Sequence, residues 1–226
     1  RFDNSVRGSL RRIRAVGGDA LFTADTKDPN WEKAHRILLP TFAGSAMKGY
    51  MPMMQDVATQ LCTKWERMNA DEEIDVVHDM TAVALDTIGI CGFDYRFNSF
   101  YRRDYHPFID ALNRTLETCM MQRGLPFEET LLRKRLHQME HDVEFMNNLV
   151  DEIIRERRSG RGATSQKDLL NYMLAGVDKV TGESLSDENI RYQINTFLIA
   201  GHETTSGLMR SEDTRLNSSH TSRSRM

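Results

Sequence analysis

A chain of 226 residues with 39% hydrophobic and 28% charged residues has the make-up of one soluble globular domain, or of part of a larger one. A formal net charge of -3 and the lack of any long basic stripe give no electrostatic case for nucleic acid. No apolar run reaches the ~18 residues a bilayer crossing needs, so no membrane span is expected.

The chain opens on Arg1-Phe2-Asp3, with neither a signal peptide nor an initiator Met, and reads as the interior of a longer gene product. Only five prolines and no sustained period-two alternation predict an all-α fold. A short helix over 4–16 carries Arg7, Arg11, Arg12 and Arg14 as a solvated face, followed by a loop over 17–23. Asp28-Pro29 starts the next helix, an N-cap with proline in the first turn, which ends at Pro40. A long helix over 46–69 places Met54, Val57, Leu61 and Trp65 at helical spacing. The apolar stretch 80–91 stops at Gly92, and amphipathic helices over 105–122 and 128–158 flank Gly124-Leu125-Pro126. After a connector at 159–164 come a short helix at 167–175, a turn at Thr181-Gly182 and an N-cap at Ser186. There are no internal repeats. Cys62, Cys91 and Cys119 lie far apart in apolar helical contexts, which predicts small buried residues and reduced thiols in a cytoplasmic setting.

The last helix carries Thr196-Phe197-Leu198-Ile199-Ala200-Gly201-His202-Glu203-Thr204-Thr205. Ala200 and Thr204 are four apart and share a face. Gly201 removes side-chain bulk where a flat ligand could approach the backbone. A mid-helix threonine hydroxyl can bond the carbonyl four residues back, which weakens the ladder and bends the helix. A hydroxyl beside the acid Glu203 suits proton delivery, while a kink at a packing contact accounts for the spacing equally well. A zinc-protease reading fails, since the position four after His202 is Ser206. The cysteine separations match no zinc motif, and no metal ligand set is expected.

Ala200-Gly201-His202-Glu203-Thr204-Thr205 resembles the oxygen-activating helix of the cytochrome P450 monooxygenases, A/G-G-x-D/E-T-T/S. Trp31 to Pro40 is similar to that family's tryptophan helix, W-x-x-x-R/H followed by proline. The stretches Ala46-Met47-Lys48-Gly49-Tyr50, Leu85-Asp86-Thr87-Ile88-Gly89 and Tyr95-Arg96-Phe97-Asn98-Ser99-Phe100-Tyr101 look like the self-sufficient fatty-acid hydroxylases, in which a haem domain is fused to a flavin reductase. The resemblance covers residues 1–209 and implies part of a mainly helical haem domain. Residues 210–226 are serine-rich and lose the helical period, and Thr-Arg-Leu-Asn-Ser-Ser-His at 214–220 looks like translated sequencing-adapter read-through.

The resemblance implies haem as cofactor, with FAD, FMN and NADPH reached through the reductase, and a fatty acid as substrate. It implies that Thr204 hydrogen-bonds the bound oxygen and that Glu203 feeds protons. Ala200, Gly201 and Leu21 would line the haem, and Trp31 and His35 would face a propionate. Phe22, Leu10, Ile13 and Ile199 would contact substrate. Haem in this family is held by a thiolate in an F-x-x-G-x-x-x-C-x-G loop, which none of the three cysteines fits. The E-x-x-R spacings Glu152-Arg155, Glu188-Arg191 and Glu212-Arg215 read as coincidence. The expectation is therefore a fragment that is inactive alone. The alternatives are a non-catalytic helical interaction fragment and a cytochrome P450 of another substrate class.

Overall fold

The computed structural model describes residues 9–25, 27–69, 71–160, 168–201, 204, 205 and 207. Its helices are α1 (Ser9–Gly17), α2 (Pro29–Leu38), α3 (Gly44–Glu66), α4 (Val76–Phe93), α5 (Pro107–Met121), α6 (Glu128–Arg158) and α7 (Leu169–Ala175). A further helix, α8, runs over 187–201. Among the described residues the only β pairing is one isolated bridge between Val177 and Ser184, so the all-α expectation holds.

Local chemistry sets the helix starts. The Asp28 carboxylate accepts the Asn30 N–H at 2.9 Å, with Pro29 in the first turn. Asp75 caps α4 through His78 N at 3.0 Å, and Ser186 Oγ accepts Asn189 N at 3.1 Å. The chain does not stop at Pro40, as the sequence suggested. It tightens into a 3-10 turn, Leu39–Phe42, in which the missing proline N–H costs nothing.

The main core gathers Leu38, Leu85, Phe93, Phe97, Phe108, Leu112, Met146, Val150, Leu170, Met173, Ile190 and Ile194. A second cluster joins Tyr50 and Val57 of α3 to Ile90 and Cys91 of α4. α5 packs along α6, α3 along α4, and α7 against α2 and α4. α8 crosses the others. Its Asn195 amide reaches Asn147 of α6 at 3.0 Å and the Val16 carbonyl at 3.4 Å, and Arg191 pairs with Asp151 at 2.6 Å.

Two sequence expectations need correction. By length and composition α4 could cross a membrane, though no such run was expected. More than half of it is buried in this fold, and its inward face carries two carboxylates, Asp79 and Asp86. Burial opposes ionisation of Asp79, but hydrogen bonds from Lys64 and Trp65 outweigh it and hold the carboxyl below its ordinary range. Burial pushes the Asp86 carboxyl up, partly offset by the Ser99 N–H at 2.9 Å. The second correction is Cys62, which is exposed, whereas Cys91 and Cys119 are buried. Leu61 takes the inward position on α3, and the next residue turns outward.

Arg36 ties α2 to the turn after α7, donating from Nε and Nη2 to Asp178 at 2.7 Å each. Those bonds hold the Asp178 carboxyl well below the usual range, against the opposing effect of burial.

His106 caps α5 as an acceptor, its Nδ1 taking the Phe108 N–H at 3.1 Å while its ring meets the Phe97 edge at 5.0 Å. Burial, and secondarily the Arg102 charge, push its pKa down from 6.5 to about 4. The folded state thus binds fewer protons than the unfolded chain between those values. The stabilisation is complete above pH 6.5 and is lost as pH falls toward 4, by on the order of 3 kcal/mol. Urea midpoints across that window are expected to fall with pH. In His106→Asn, which keeps a cap acceptor but cannot titrate, that part of the slope disappears.

Candidate functional site

α8 presents Gln193, Phe197, Ala200 and Thr204 as one stripe, because spacings of four and three return to the same helix face. The Thr204 hydroxyl donates to the Ala200 carbonyl at 2.6 Å, the backward bond expected of a mid-helix threonine. Both residues are exposed. Phe197 meets the Phe42 ring at 5.9 Å, and Phe42 is 49% exposed. The open end of α8 is thus an apolar shelf carrying a hydroxyl.

The loop at 21–22 is fastened to this helix. Leu21 N donates to Gln193 Oε1 at 3.2 Å, and Gln193 Nε2 donates to Asn189 Oδ1 at 3.1 Å. Asn189 Nδ2 reaches Asp19 Oδ1 at 2.9 Å, and Asn30 Nδ2 reaches the other oxygen of the same carboxylate at 2.5 Å. From the opposite side, Trp31 Nε1 donates to the Leu21 carbonyl at 3.0 Å. Leu21 is therefore gripped at both backbone polar groups, and its side chain packs on the main core. Phe22, next in the chain, projects with 49% exposure.

The geometry gives several candidate residues uses that spacing did not suggest. The Trp31 indole N–H, read as facing a propionate, is bonded to Leu21. His35 stacks on Trp31 at 5.0 Å and is exposed. Gly201 was read as clearance for a ligand. A Cβ there would stand 3.3 Å from Ile88 Cγ1, so the missing side chain serves the close packing of α8 on α4. Ile199 is half-buried against the main core, and Ile13 is half-buried on α1. Glu203 and the side chain of Leu10 lie outside the described residues, as do 161–167 and 208–226. The Glu188-Arg191 spacing forms no pair: Glu188 accepts from Tyr192 at 3.0 Å and Arg191 bonds Asp151.

Gln193, Asn189 and Asp19 were not singled out by sequence reasoning. Asn189 and Gln193 are buried polar residues one helical turn apart, a pattern that asks for partners and was the one available signal. Removing Gln193 strands the Leu21 N–H. A Gln193→Leu variant is expected to lose about 2 kcal/mol in denaturant unfolding and to speed proteolysis within 19–25.

Two open clefts lie away from the shelf. One of about 470 Å³ is lined by Ala15, Val143, Asn147, Asp151 and Arg191, and one of about 490 Å³ by Arg12, Leu125 and Leu132. Neither includes Thr204, Trp31 or Phe22.

The model of the family described as Cytochrome P450 matches residues 5–210. The chain belongs to the cytochrome P450 family. It is 56% identical over 210 residues to the bifunctional cytochrome P450/NADPH–P450 reductase 2 of Bacillus subtilis, covering 92% of this chain and 20% of that protein. Identity to a bifunctional cytochrome P450/NADPH–P450 reductase of Bacillus cereus is 55%, and to a self-sufficient cytochrome P450 monooxygenase of Phanerodontia chrysosporium 45%, with the same coverage. The chain spans about one fifth of the length of these relatives.

The shelf suits one face of haem, a flat and largely apolar macrocycle. Exposed Ala200 and the Phe42–Phe197 pair offer apolar contact, and Thr204 offers a polar group. The other face would need a thiolate, which the two buried cysteines do not offer. Cys91 Sγ lies 3.9 Å from the Tyr50 carbonyl, with burial raising its pKa to about 11. Cys119 Sγ lies 3.4 Å from the Arg12 carbonyl, its pKa likewise raised by burial. Buried, protonated thiols are poor metal ligands.

Proposed function

We propose that residues 1–209 are the oxygen-side part of the haem domain of a cytoplasmic monooxygenase that hydroxylates fatty acids. In this reading the whole protein includes a flavin reductase carrying FAD and FMN, which passes electrons from NADPH. The observation that carries the proposal is the exposed Thr204 hydroxyl, held at 2.6 Å on the Ala200 carbonyl beside an open apolar shelf. The names of the relatives, which join a cytochrome P450 to an NADPH–P450 reductase, support the reductase assignment.

When bound, the haem supplies dioxygen activation. The chain's own residues would do the rest. Ala200 and the phenylalanines exclude water from one face. With its one proton on the Ala200 carbonyl, Thr204 Oγ1 keeps its lone pairs free to accept a hydrogen bond from the open side, so it would hold a proton there, with Glu203 as the proton source. The exposed His35 would be the residue that holds a propionate, while Trp31 keeps the Leu21 loop in place. Phe22 would steer the end of an alkyl chain.

The test is turnover by the full-length protein with NADPH, O2 and a saturated fatty acid. A product heavier by one oxygen atom is expected, with NADPH consumed in step. Absence of both product and fatty-acid-dependent NADPH oxidation would overturn the substrate assignment. The 226-residue chain with added haemin and carbon monoxide is expected to show no thiolate-type Soret band after reduction, because Cys91 and Cys119 are buried against backbone carbonyls and Cys62 lies on α3, which contributes no residue to the shelf.

A further inference from the structure

We propose that His137 and His141, on the outer face of α6, form a site for a divalent transition-metal ion of the zinc, nickel or copper class. This inference is independent of the haem reading. The sequence His137-Gln138-Met139-Glu140-His141 places the two imidazoles one turn apart on a helix, so their rings must meet. Their Nε2 atoms are 3.3 Å apart, with ring centroids at 4.6 Å and planes at 73°.

That separation carries the argument. An ion bound tetrahedrally by imidazole nitrogens at about 2.0–2.1 Å needs ligand atoms about 3.3–3.4 Å from each other. The two nitrogens thus already stand at the required spacing. The rings meet edge to face, so a small rotation about the side-chain bonds would turn both Nε2 lone pairs toward one ion, and metal entry displaces the one proton that can sit between them. α6 is continuous over 31 residues, so little order remains to be gained on binding.

The surroundings fit an open surface site. The His137 side chain is 70% exposed, and His141 is exposed, so hydrated ions reach both. Glu140 Oε2 lies 3.6 Å from His137 Nδ1, on the ring edge away from the shared position. A carboxylate there, directly or through one water, orients the ring. Glu144, one turn beyond Glu140, adds a second negative charge, while Arg133 and Lys134 on the preceding turn work against the ion. No group of three or more His, Cys, Asp or Glu side chains among the described residues is arranged to hold a metal. Two imidazoles with water completing the shell therefore define an exchangeable site. They do not make a closed structural zinc centre, and they supply no hydrolytic chemistry. Bound metal would bridge adjacent turns of α6 and stabilise the helix between them.

The experiment is calorimetric titration of the full chain with Ni²⁺ and with Zn²⁺, in a Cys62→Ser background that removes the exposed thiol. One ion per chain is expected, with thermal unfolding shifted upward and amide exchange slowed at 137–141. His137→Asn and His141→Asn are each expected to weaken binding by about tenfold or more. Glu156→Gln, an exposed substitution further along α6, should leave binding unchanged. No binding at millimolar metal, or affinity in either histidine variant equal to that of the parent, overturns the proposal. All these substitutions are on the surface, so unfolding of a variant does not obscure the result.

Discussion

Arg157→Met is expected to cost about 3–5 kcal/mol, the largest stability loss among the changes considered for this chain. Arg157 is buried with Asp168: their side chains are 5% and 1% exposed. Nη1 donates to Asp168 Oδ1 at 3.0 Å, and Nη2 donates to the Phe93 carbonyl at 3.0 Å. Asp168 Oδ1 also accepts the Asn171 N–H at 2.8 Å as the N-cap of α7. One guanidinium thus joins the last turn of α6 to the last turn of α4 and the first turn of α7. Methionine fills much of the volume but leaves the Asp168 carboxylate buried without its counter-charge, with the Asn171 N–H as its remaining donor, and takes the guanidinium donor from the Phe93 carbonyl, which is where the penalty lies. For a chain of this size the loss should lower Tm by about 10 °C. A second change, Asp168→Asn, should cost much less in the Arg157→Met background than alone, because the charge it removes is then unpaired. Equal costs in both backgrounds would show that the pair contributes nothing through its charge. Guanidinium chloride or urea midpoints of the four proteins decide it.

Arg157 was not marked in the sequence as anything but the end of an amphipathic helix rich in arginine. Its partner lies beyond a loop, and nothing local distinguishes it from exposed Arg155 or Arg158. What was legible was local. Asp28-Pro29 and Ser186 declared helix starts, because a cap and its N–H lie within three residues. The single period of the 128–158 stretch fixed α6 at both ends. The α4 boundary was missed by four residues at its start, since Val76 and Val77 follow the Asp75 cap with no apolar continuity at His78-Asp79.

The candidate site divides in the same way. Thr204 and Ala200 could be placed on one face from spacing alone, and the Thr204 hydroxyl makes the backward bond that this spacing allows. Gly201 could not be resolved, because a missing side chain reads the same whether it faces a ligand or Ile88. The Trp31 indole and Gln193 both bind Leu21, across 10 and 172 residues, and the second of these has no local signature. Long-range partners decide what a polar side chain does, and one sequence does not print them.

Thr204→Ala separates the chemical role of this hydroxyl from its structural one. Alanine is the better helix former, and the variant loses only a bond that bends the helix, so stability should hold or rise slightly, by up to about 0.5 kcal/mol. If Thr204 served packing, turnover in the full-length protein would survive such a change. If it holds a proton where oxygen is reduced, hydroxylated product should fall by about a hundredfold, within the range general acid–base groups contribute. Electron delivery does not pass through this side chain, so NADPH oxidation should fall far less, and product per NADPH becomes the diagnostic ratio. Thr204→Ser keeps the hydroxyl without the methyl and should recover most of that ratio, whereas Thr204→Val keeps the shape without the hydroxyl and should not. Recovery by valine would assign Thr204 to packing and remove the main support for an oxygen-side role of α8.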